Sequence, residues 1–165
     1  VNYHFSGFFQ RGHLYHQHRD MIRSFFDLAP FASHYPCREL IAHVRWHDYG
    51  PKHRIHPDWY RDIIREEHLP YLTVVCPPED VDTVKKEFSE MEGYYFNIHS
   101  RGVYEDFKAL FESHTLIMAN STFSWWAAFL GNPVKIYKPK QWLPIPEVNL
   151  TGFPGAIELD NKMWE

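Results

Sequence analysis

Short apolar runs alternate along the chain with longer amphipathic segments. The apolar runs predict strands at residues 3–8, 39–45, 71–76, 94–98, 115–119 and 134–137. The segments between them have helical periodicity and predict helices at residues 13–26, 57–68, 79–91, 104–113 and 123–130. Residues 72–75 and 116–118 are apolar on both strand faces, as in parallel strands that helices cover. The pattern predicts an α/β fold with a single Rossmann-like doubly wound, mostly parallel sheet and helices on both faces.

The length of the chain sets the number of domains. At 165 residues it can form one domain with a substantial core but not two of ordinary size. Residues 141–165 contain three prolines and little periodicity. We therefore predict one domain over residues 1–165, in which residues 141–165 form an irregular C-terminal tail.

Charge, hydropathy and motif content exclude several functions. The net charge is -4 with acids and bases interspersed, so the sequence offers no broad basic face for a nucleic acid. No apolar run approaches the roughly 20 residues that span a bilayer, so no membrane segment is predicted in this chain. Neither Gly-X-Gly-X-X-Gly nor Gly-X-X-X-X-Gly-Lys-Ser/Thr occurs, which argues against a dinucleotide oxidoreductase and a P-loop NTPase.

The two cysteines and the clustered histidines are the residues that could form disulfides or a metal site. Cys37 and Cys76 are too few for a disulfide framework, and we expect two buried thiols in a reducing, cytoplasmic compartment. His13 and His16 would share one helix face, but His18 would not, and no cysteine or carboxylate completes a tetrahedral set. No metal site is therefore predicted.

The stretch from Thr115 to Gly131 predicts an anion site. It runs from a buried strand through a hydroxyl-rich turn into a helix of mainly small and aromatic residues. Backbone amides at a helix start, the helix dipole and the hydroxyls of Ser121, Thr122 and Ser124 can hold a pyrophosphate without a metal or a lysine. Ordinary N-capping by the same hydroxyls is the alternative that the local sequence leaves open.

A second polar cluster follows the strand predicted at residues 39–45. Arg45, Asp48 and Tyr49 come directly after its apolar positions, and ligands of open α/β sheets bind at such strand ends. A guanidinium there can grip a pyrophosphate through two parallel charge-assisted hydrogen bonds. The alternative is a structural arginine that pairs with Asp48.

Together the two segments resemble the α1,2-fucosyltransferases and, more distantly, the α1,6- and protein O-fucosyltransferases. The first family motif is His-X-Arg-Arg-Gly-Asp-Tyr, which here begins at His43, with Trp46 in place of the second arginine and His47 in place of the glycine. The last family motif, Asn-Ser-Ser-Phe-Ser-Trp-Trp-Ala-Ala, is almost completely matched from Asn120. Residues 5–10, Phe-Ser-Gly-Phe-Phe-Gln, are similar to a Gly-Tyr-Phe-Gln segment of these enzymes, and residues 138–142 to their closing Pro-X-X-Trp.

The resemblance implies the C-terminal donor-binding domain of a two-domain GT-B enzyme. Such an enzyme would be an inverting glycosyltransferase that binds GDP-fucose, needs no metal and transfers fucose to a sugar hydroxyl of a carbohydrate acceptor. An N-terminal Rossmann-like domain outside this chain is the expected partner, and a Golgi enzyme with a membrane anchor would place the domain in the Golgi lumen. The implied donor-binding residues are His43, Arg45, Asn120, Ser121, Thr122 and Ser124.

Catalysis by displacement at the sugar carbon also requires a general base. The sequence offers Asp48, His47, His53 and His56. Counting from Arg45 by the interval that leads to a carboxylate in the α1,6 enzymes ends at His53, so the predicted catalytic residues are Arg45, Asp48 and His53.

One further departure from the resembled enzymes follows the predicted strand at 71–76. The usual Ser-Asp-Asp is replaced by Pro77-Pro-Glu-Asp80, and we interpret Glu79 and Asp80 as complements to the dipole of the next helix. Two other interpretations remain open for the whole chain. One is a non-catalytic nucleotide- or carbohydrate-binding module that lost turnover with the second arginine, and the other is a purely structural Rossmann-like domain.

Overall fold

The computed structural model describes residues 12–31, 40–50, 53–142 and 153–163. The strand predicted at residues 3–8 and the Phe-Ser-Gly-Phe-Phe-Gln segment at residues 5–10 lie outside these ranges. Within them, no helix is long and apolar enough to cross a membrane.

Within the described ranges, the strands form one sheet of six, and every neighbouring pair is parallel. Their bounds are β1 Leu40–His43, β2 Tyr71–Val75, β3 Tyr95–His99, β4 Thr115–Ile117, β5 Lys135–Pro139 and β6 Ile157–Leu159. The strand order is β3-β2-β1-β4-β5-β6. This order is that of a doubly wound Rossmann-type sheet, so the predicted fold class is confirmed.

Helices connect the strands. The α-helices are α1 Gly12–Tyr15, α2 Arg19–Arg23, α3 Pro57–Glu67, α4 Val81–Phe88, α5 Val103–Phe111 and α6 Thr122–Leu130. Short 3-10 helices cover His16–His18, Ala29–Phe31 and Pro78–Asp80. The predicted bounds of α3, α5 and α6 are correct to within two residues. The continuous helix predicted over 13–26 is wrong, because a 3-10 helix separates α1 from α2.

The prediction of an irregular tail over 141–165 is wrong for β6. Residues Ile157 and Glu158 pair in parallel with Tyr137 and Lys138 of β5. An open β5 edge would leave backbone donors and acceptors unpaired, and β6 satisfies them. The Lys138 ammonium also lies 3.1 Å from the Glu158 carboxylate.

Apolar side chains fill both faces of the sheet. One cluster contains Leu40 and Ala42 with residues of α3 and α4, and the other contains Ile41 with residues of α5 and α6. Successive residues of β1 thus point to opposite helical layers. This sandwich holds the ends of β1 and β4 in fixed positions.

The C-terminal end of α6 is tied to the first helices of the chain. Arg19 Nε donates a hydrogen bond to the Phe129 carbonyl at 2.8 Å, and Arg23 donates to the carbonyls of Leu130 and Gly131. Cations at this end complement the helix dipole and satisfy carbonyls that have no partner within the helix. These contacts hold α6 in place and thereby position its N-terminal end.

Candidate functional site

The site lies where the direction of the chain through the sheet reverses. From β1 the chain proceeds outward through β2 to β3, and it then crosses to β4 on the other side of β1. Ligands of open α/β sheets bind in the crevice outside the carboxyl ends of the strands at such a switch point. Residues 44–49 follow β1 and residues 118–121 follow β4, so the fold brings the two sequence-predicted segments together.

Hydrogen bonds join these two segments directly. Arg45 Nη1 donates to Ser121 Oγ at 3.5 Å, and the Tyr49 hydroxyl donates to the Asn120 carbonyl at 2.9 Å. Asn120 Nδ2 donates to the carbonyls of His53 at 2.8 Å and Trp142 at 2.9 Å. Asn120 therefore holds the β1 loop, the β4 loop and the segment after β5 in one arrangement.

Arg45 is positioned by Asp48 and Tyr49. Its Nε donates to both carboxylate oxygens of Asp48, at 3.0 Å and 3.1 Å, and Nη2 also contacts that carboxylate. The Arg45 Cζ atom lies 5.3 Å from the centre of the Tyr49 ring. The Asp48 hydrogen bond raises the pKa of Arg45, and the same bond lowers the pKa of Asp48. Because Asp48 occupies the Nε side, Nη1 extends towards Ser121 at the start of α6.

The start of α6 combines an N-cap with further hydroxyl and amide groups. Ser121 is the N-cap, and its Oγ accepts a hydrogen bond from the Phe123 amide at 3.3 Å. Thr122 is half-buried in the first helical position, and the first turn carries no acidic residue. Ser124 is fully buried, and its Oγ donates to the carbonyls of Ala119 at 3.3 Å and Ser121 at 3.2 Å. The Ser124 hydroxyl thus stabilises the turn, and its contact with a donor phosphate stays a prediction.

Two buried polar atoms lack partners beside this turn. His43, the last residue of β1, is buried, and burial followed by the charge of Arg45 lowers its pKa to about 3, so its ring is neutral. Within the described residues, neither His43 Nδ1 nor Asn120 Oδ1 has a hydrogen-bond partner. Buried polar atoms are almost always hydrogen-bonded in proteins, so these unpaired atoms are candidate positions for a ligand group.

The candidate general bases differ in their contacts. His53 comes close to the site, because its carbonyl bonds to Asn120. His56 is the N-cap of α3, and its Nδ1 accepts a hydrogen bond from the Asp58 amide at 3.2 Å. His47 Nδ1 lies 3.5 Å from Asp80 Oδ2 and 3.8 Å from Asp48 Oδ1. Asp48 therefore contacts Arg45 directly, His47 lies beside Asp48 and Asp80, and His53 is joined to the site through its main chain, whereas His56 caps α3.

The sequence interpretation missed the role of Asp80. Its side chain makes no capping bond to α4, and its Oδ2 instead accepts a hydrogen bond from the Trp46 amide at 2.7 Å. The Trp46 side chain is buried, and its Nε1 donates to the Ile55 carbonyl at 3.0 Å. Position 46, where the resembled enzymes have a second arginine, thus faces the core. The displaced acid in Pro77-Pro-Glu-Asp80 was the sequence signal that could have revealed this contact.

The described cysteine, histidine and acidic side chains bear on the thiol and metal predictions. Cys76 is buried, and burial raises the pKa of its thiol to about 12, while Cys37 lies outside the described ranges. In the described part of the chain, no group of three or more histidine, cysteine, aspartate or glutamate side chains could hold a metal ion.

The fold and the site define a Rossmann-like α/β domain with a polar cluster at the carboxyl ends of the paired strands β1 and β4. The family model for glycosyl transferase family 11, the α1,2-fucosyltransferase family, matches residues 62–142, so this part of the chain is similar to that family. The match includes the α6 start, while Arg45 lies ahead of it. A search of curated proteins and a search of solved structures each found no significant match. The match indicates a fucosyltransferase-like glycosyltransferase, a class of enzyme that uses a nucleotide sugar and an acceptor.

Proposed function

We propose that this domain binds GDP-fucose and acts in an inverting transfer of fucose to a sugar hydroxyl. The observation that supports it most is the hydrogen bond of 3.5 Å between Arg45 Nη1 and Ser121 Oγ. This contact brings a cation to the positive end of a helix dipole at a sheet switch point. Two features that each favour an anion therefore coincide, and the diphosphate of a nucleotide sugar fits both.

Each predicted donor contact has a defined place in this proposal. Arg45 binds the diphosphate, together with the hydroxyls of Ser121 and Thr122 and the free amides in the first turn of α6. Ser124 contributes through its amide, because its hydroxyl bonds within the turn. His43 Nδ1 and Asn120 Oδ1 offer hydrogen bonds to polar groups of the donor.

The proposed reaction is a single displacement. The acceptor oxygen attacks the anomeric carbon from the face opposite the phosphate, and the bond between that carbon and the β-phosphate oxygen breaks. GDP leaves with the electron pair, and Arg45 and the α6 dipole offset its negative charge. Asp48 keeps the guanidinium in the orientation that this requires.

A non-catalytic nucleotide-binding module is the second candidate. It is favoured by Trp46, which is buried where the resembled enzymes carry a second arginine. Calorimetric titration of GDP and UDP, with an assay of GDP-fucose hydrolysis on the same sample, separates the two. We expect preferential GDP binding together with hydrolysis. GDP binding without turnover, also in a chain that includes a second domain, would indicate the module, and the absence of nucleotide binding would contradict both.

We further propose that an N-terminal Rossmann-like domain faces this one and presents the acceptor. Closure of two domains aligns reactants and excludes water, which can lower a barrier by several kcal/mol. The isolated domain should therefore bind GDP but transfer fucose poorly. Transfer to a panel of galactosides, measured for this chain and for a chain that includes the second domain, checks this. Equal rates would show that the domain is a complete enzyme.

A further inference from the structure

We propose that His47 is the general base of the transfer and that Asp80 is its positioning residue. The inference rests on the proposed function, since it assigns the proton acceptor of that reaction. It does not follow from the family resemblance, because His47 stands where the resembled enzymes have glycine.

Asp80 is a carboxylate fixed beneath the β1 loop. Its side chain is 3% exposed. Its Oδ2 accepts a hydrogen bond from the Trp46 amide at 2.7 Å, so the main chain next to Arg45 sets the position of the carboxylate. A buried carboxylate is costly unless it is bonded, and one backbone amide leaves lone pairs for a further donor.

His47 is placed to be that donor. Its Nδ1 lies 3.5 Å from the same Asp80 oxygen, and its side chain is 33% exposed. A carboxylate behind Nδ1 favours the tautomer with its proton on Nδ1, which leaves Nε2 as the basic atom, and it stabilises the imidazolium that forms. Such contacts are commonly long without substrate and shorten in the reacting complex. The pair therefore has the arrangement of an Asp-His dyad.

Three other titratable groups are less suited to this role. Both Asp48 oxygens accept hydrogen bonds from Arg45, whose guanidinium lowers the pKa of that carboxyl and makes it a weaker base. His43 is buried, with a pKa of about 3. The Nδ1 atom of His56 is used in capping α3. Among these side chains, only His47 is partly exposed and also has a buried carboxylate partner. It lies two residues from Arg45 in the sequence.

The proton then has a defined path. As the acceptor oxygen forms its bond to the anomeric carbon, its proton moves to His47 Nε2. The bond between the anomeric carbon and the phosphate oxygen breaks, and GDP leaves with the electron pair. The glycoside, GDP and an imidazolium result, and the imidazolium releases its proton to solvent.

The test compares His47→Gln and Asp80→Asn with His18→Gln, a matched control on the exposed 3-10 helix. The full chain is used, joined to its second domain if transfer requires it, and circular dichroism checks each fold. We expect His47→Gln to retain GDP affinity and to lose about 10²- to 10⁴-fold in kcat, as loss of a general base does. Asp80→Asn keeps an acceptor for the Trp46 amide and should lose less, also in kcat. His18→Gln should match the parent protein.

Two further readouts separate catalysis from structure. Added imidazole should restore part of the rate to His47→Ala but none to Asp80→Asn, and the acidic limb of the kcat/KM pH profile should disappear in His47→Gln. A His47→Gln variant with the parent rate would overturn the inference, as would imidazole rescue of His53→Ala instead. Failure of the parent protein to bind GDP would contradict the proposed function itself. GDP binding with neither transfer nor hydrolysis would make the domain a non-catalytic module and remove the base assignment.

Discussion

Replacing Arg45 by alanine should weaken GDP binding more than removal of an exposed arginine elsewhere. The Arg45 side chain is 35% exposed and Asp48 already orients its guanidinium, so little ordering is required when it meets a phosphate. Charge-assisted hydrogen bonds contribute about 1.5 to 3 kcal/mol, and a bidentate contact lies towards the upper end. The change also leaves Asp48 without its cation, and that carboxylate would then repel the diphosphate.

The lost hydrogen bonds to the phosphate and the unpaired Asp48 carboxylate both weaken GDP binding. We expect a loss of about 2 to 3 kcal/mol, which is about 30- to 140-fold in the dissociation constant. Arg45→Lys retains the charge without the planar fork and should lie between the two proteins.

Isothermal titration calorimetry with GDP measures the effect. Arg65→Ala is the matched control, because Arg65 also pairs with an acid three residues away, Asp62, at 3.0 Å, but lies on α3. The control should bind GDP as the parent protein does. If Arg45→Ala, folded by circular dichroism, bound GDP with unchanged affinity, Arg45 would not contact the phosphates and the site argument would be wrong.

Three other predictions concern the metal, the pH dependence and the packing of the domain. Activity should persist in EDTA, because a helix start, hydroxyls and a guanidinium replace a divalent cation; loss in EDTA with recovery in manganese would contradict this. In the folded protein His43 has a pKa of about 3 and stays neutral, whereas in the unfolded chain it binds a proton below its ordinary pKa of about 6.5. The free energy of unfolding should therefore fall as the pH drops from about 6.5 towards 3. At pH 5 the loss should be about 2 kcal/mol in urea titrations, and it should be absent from His43→Gln. Gly131→Ala should lower the unfolding free energy by about 1 to 3 kcal/mol, because the added Cβ would lie 2.7 Å from the Ala127 carbonyl oxygen and overpacking strains its neighbours. The control Gly50→Ala adds a Cβ with nothing within 4 Å and should show no such loss.

The sequence by itself determined the layout of the fold. Apolar runs at 71–76 and 115–119 and the helical pattern at 57–68 predicted β2, β4 and α3, because side-chain periodicity reports local geometry. It also indicated that Arg45 and Ser121 would meet, since both follow strands whose carboxyl ends share one edge of a parallel sheet.

The tertiary structure alone decided how the site is assembled. The Asp80 bond to the Trp46 amide joins residues 34 positions apart, and periodicity carries no information at that separation. The Trp46 side chain lies in the core and Asp80 lies near His47, because the loops that contain them follow the neighbouring strands β1 and β2. Likewise, β6 formed because the outer edge of β5 offers unpaired backbone groups, which no local pattern at 157–159 revealed. Local sequence determined the helices and strands, whereas long-range hydrogen bonds and burial determined which partners their polar side chains have.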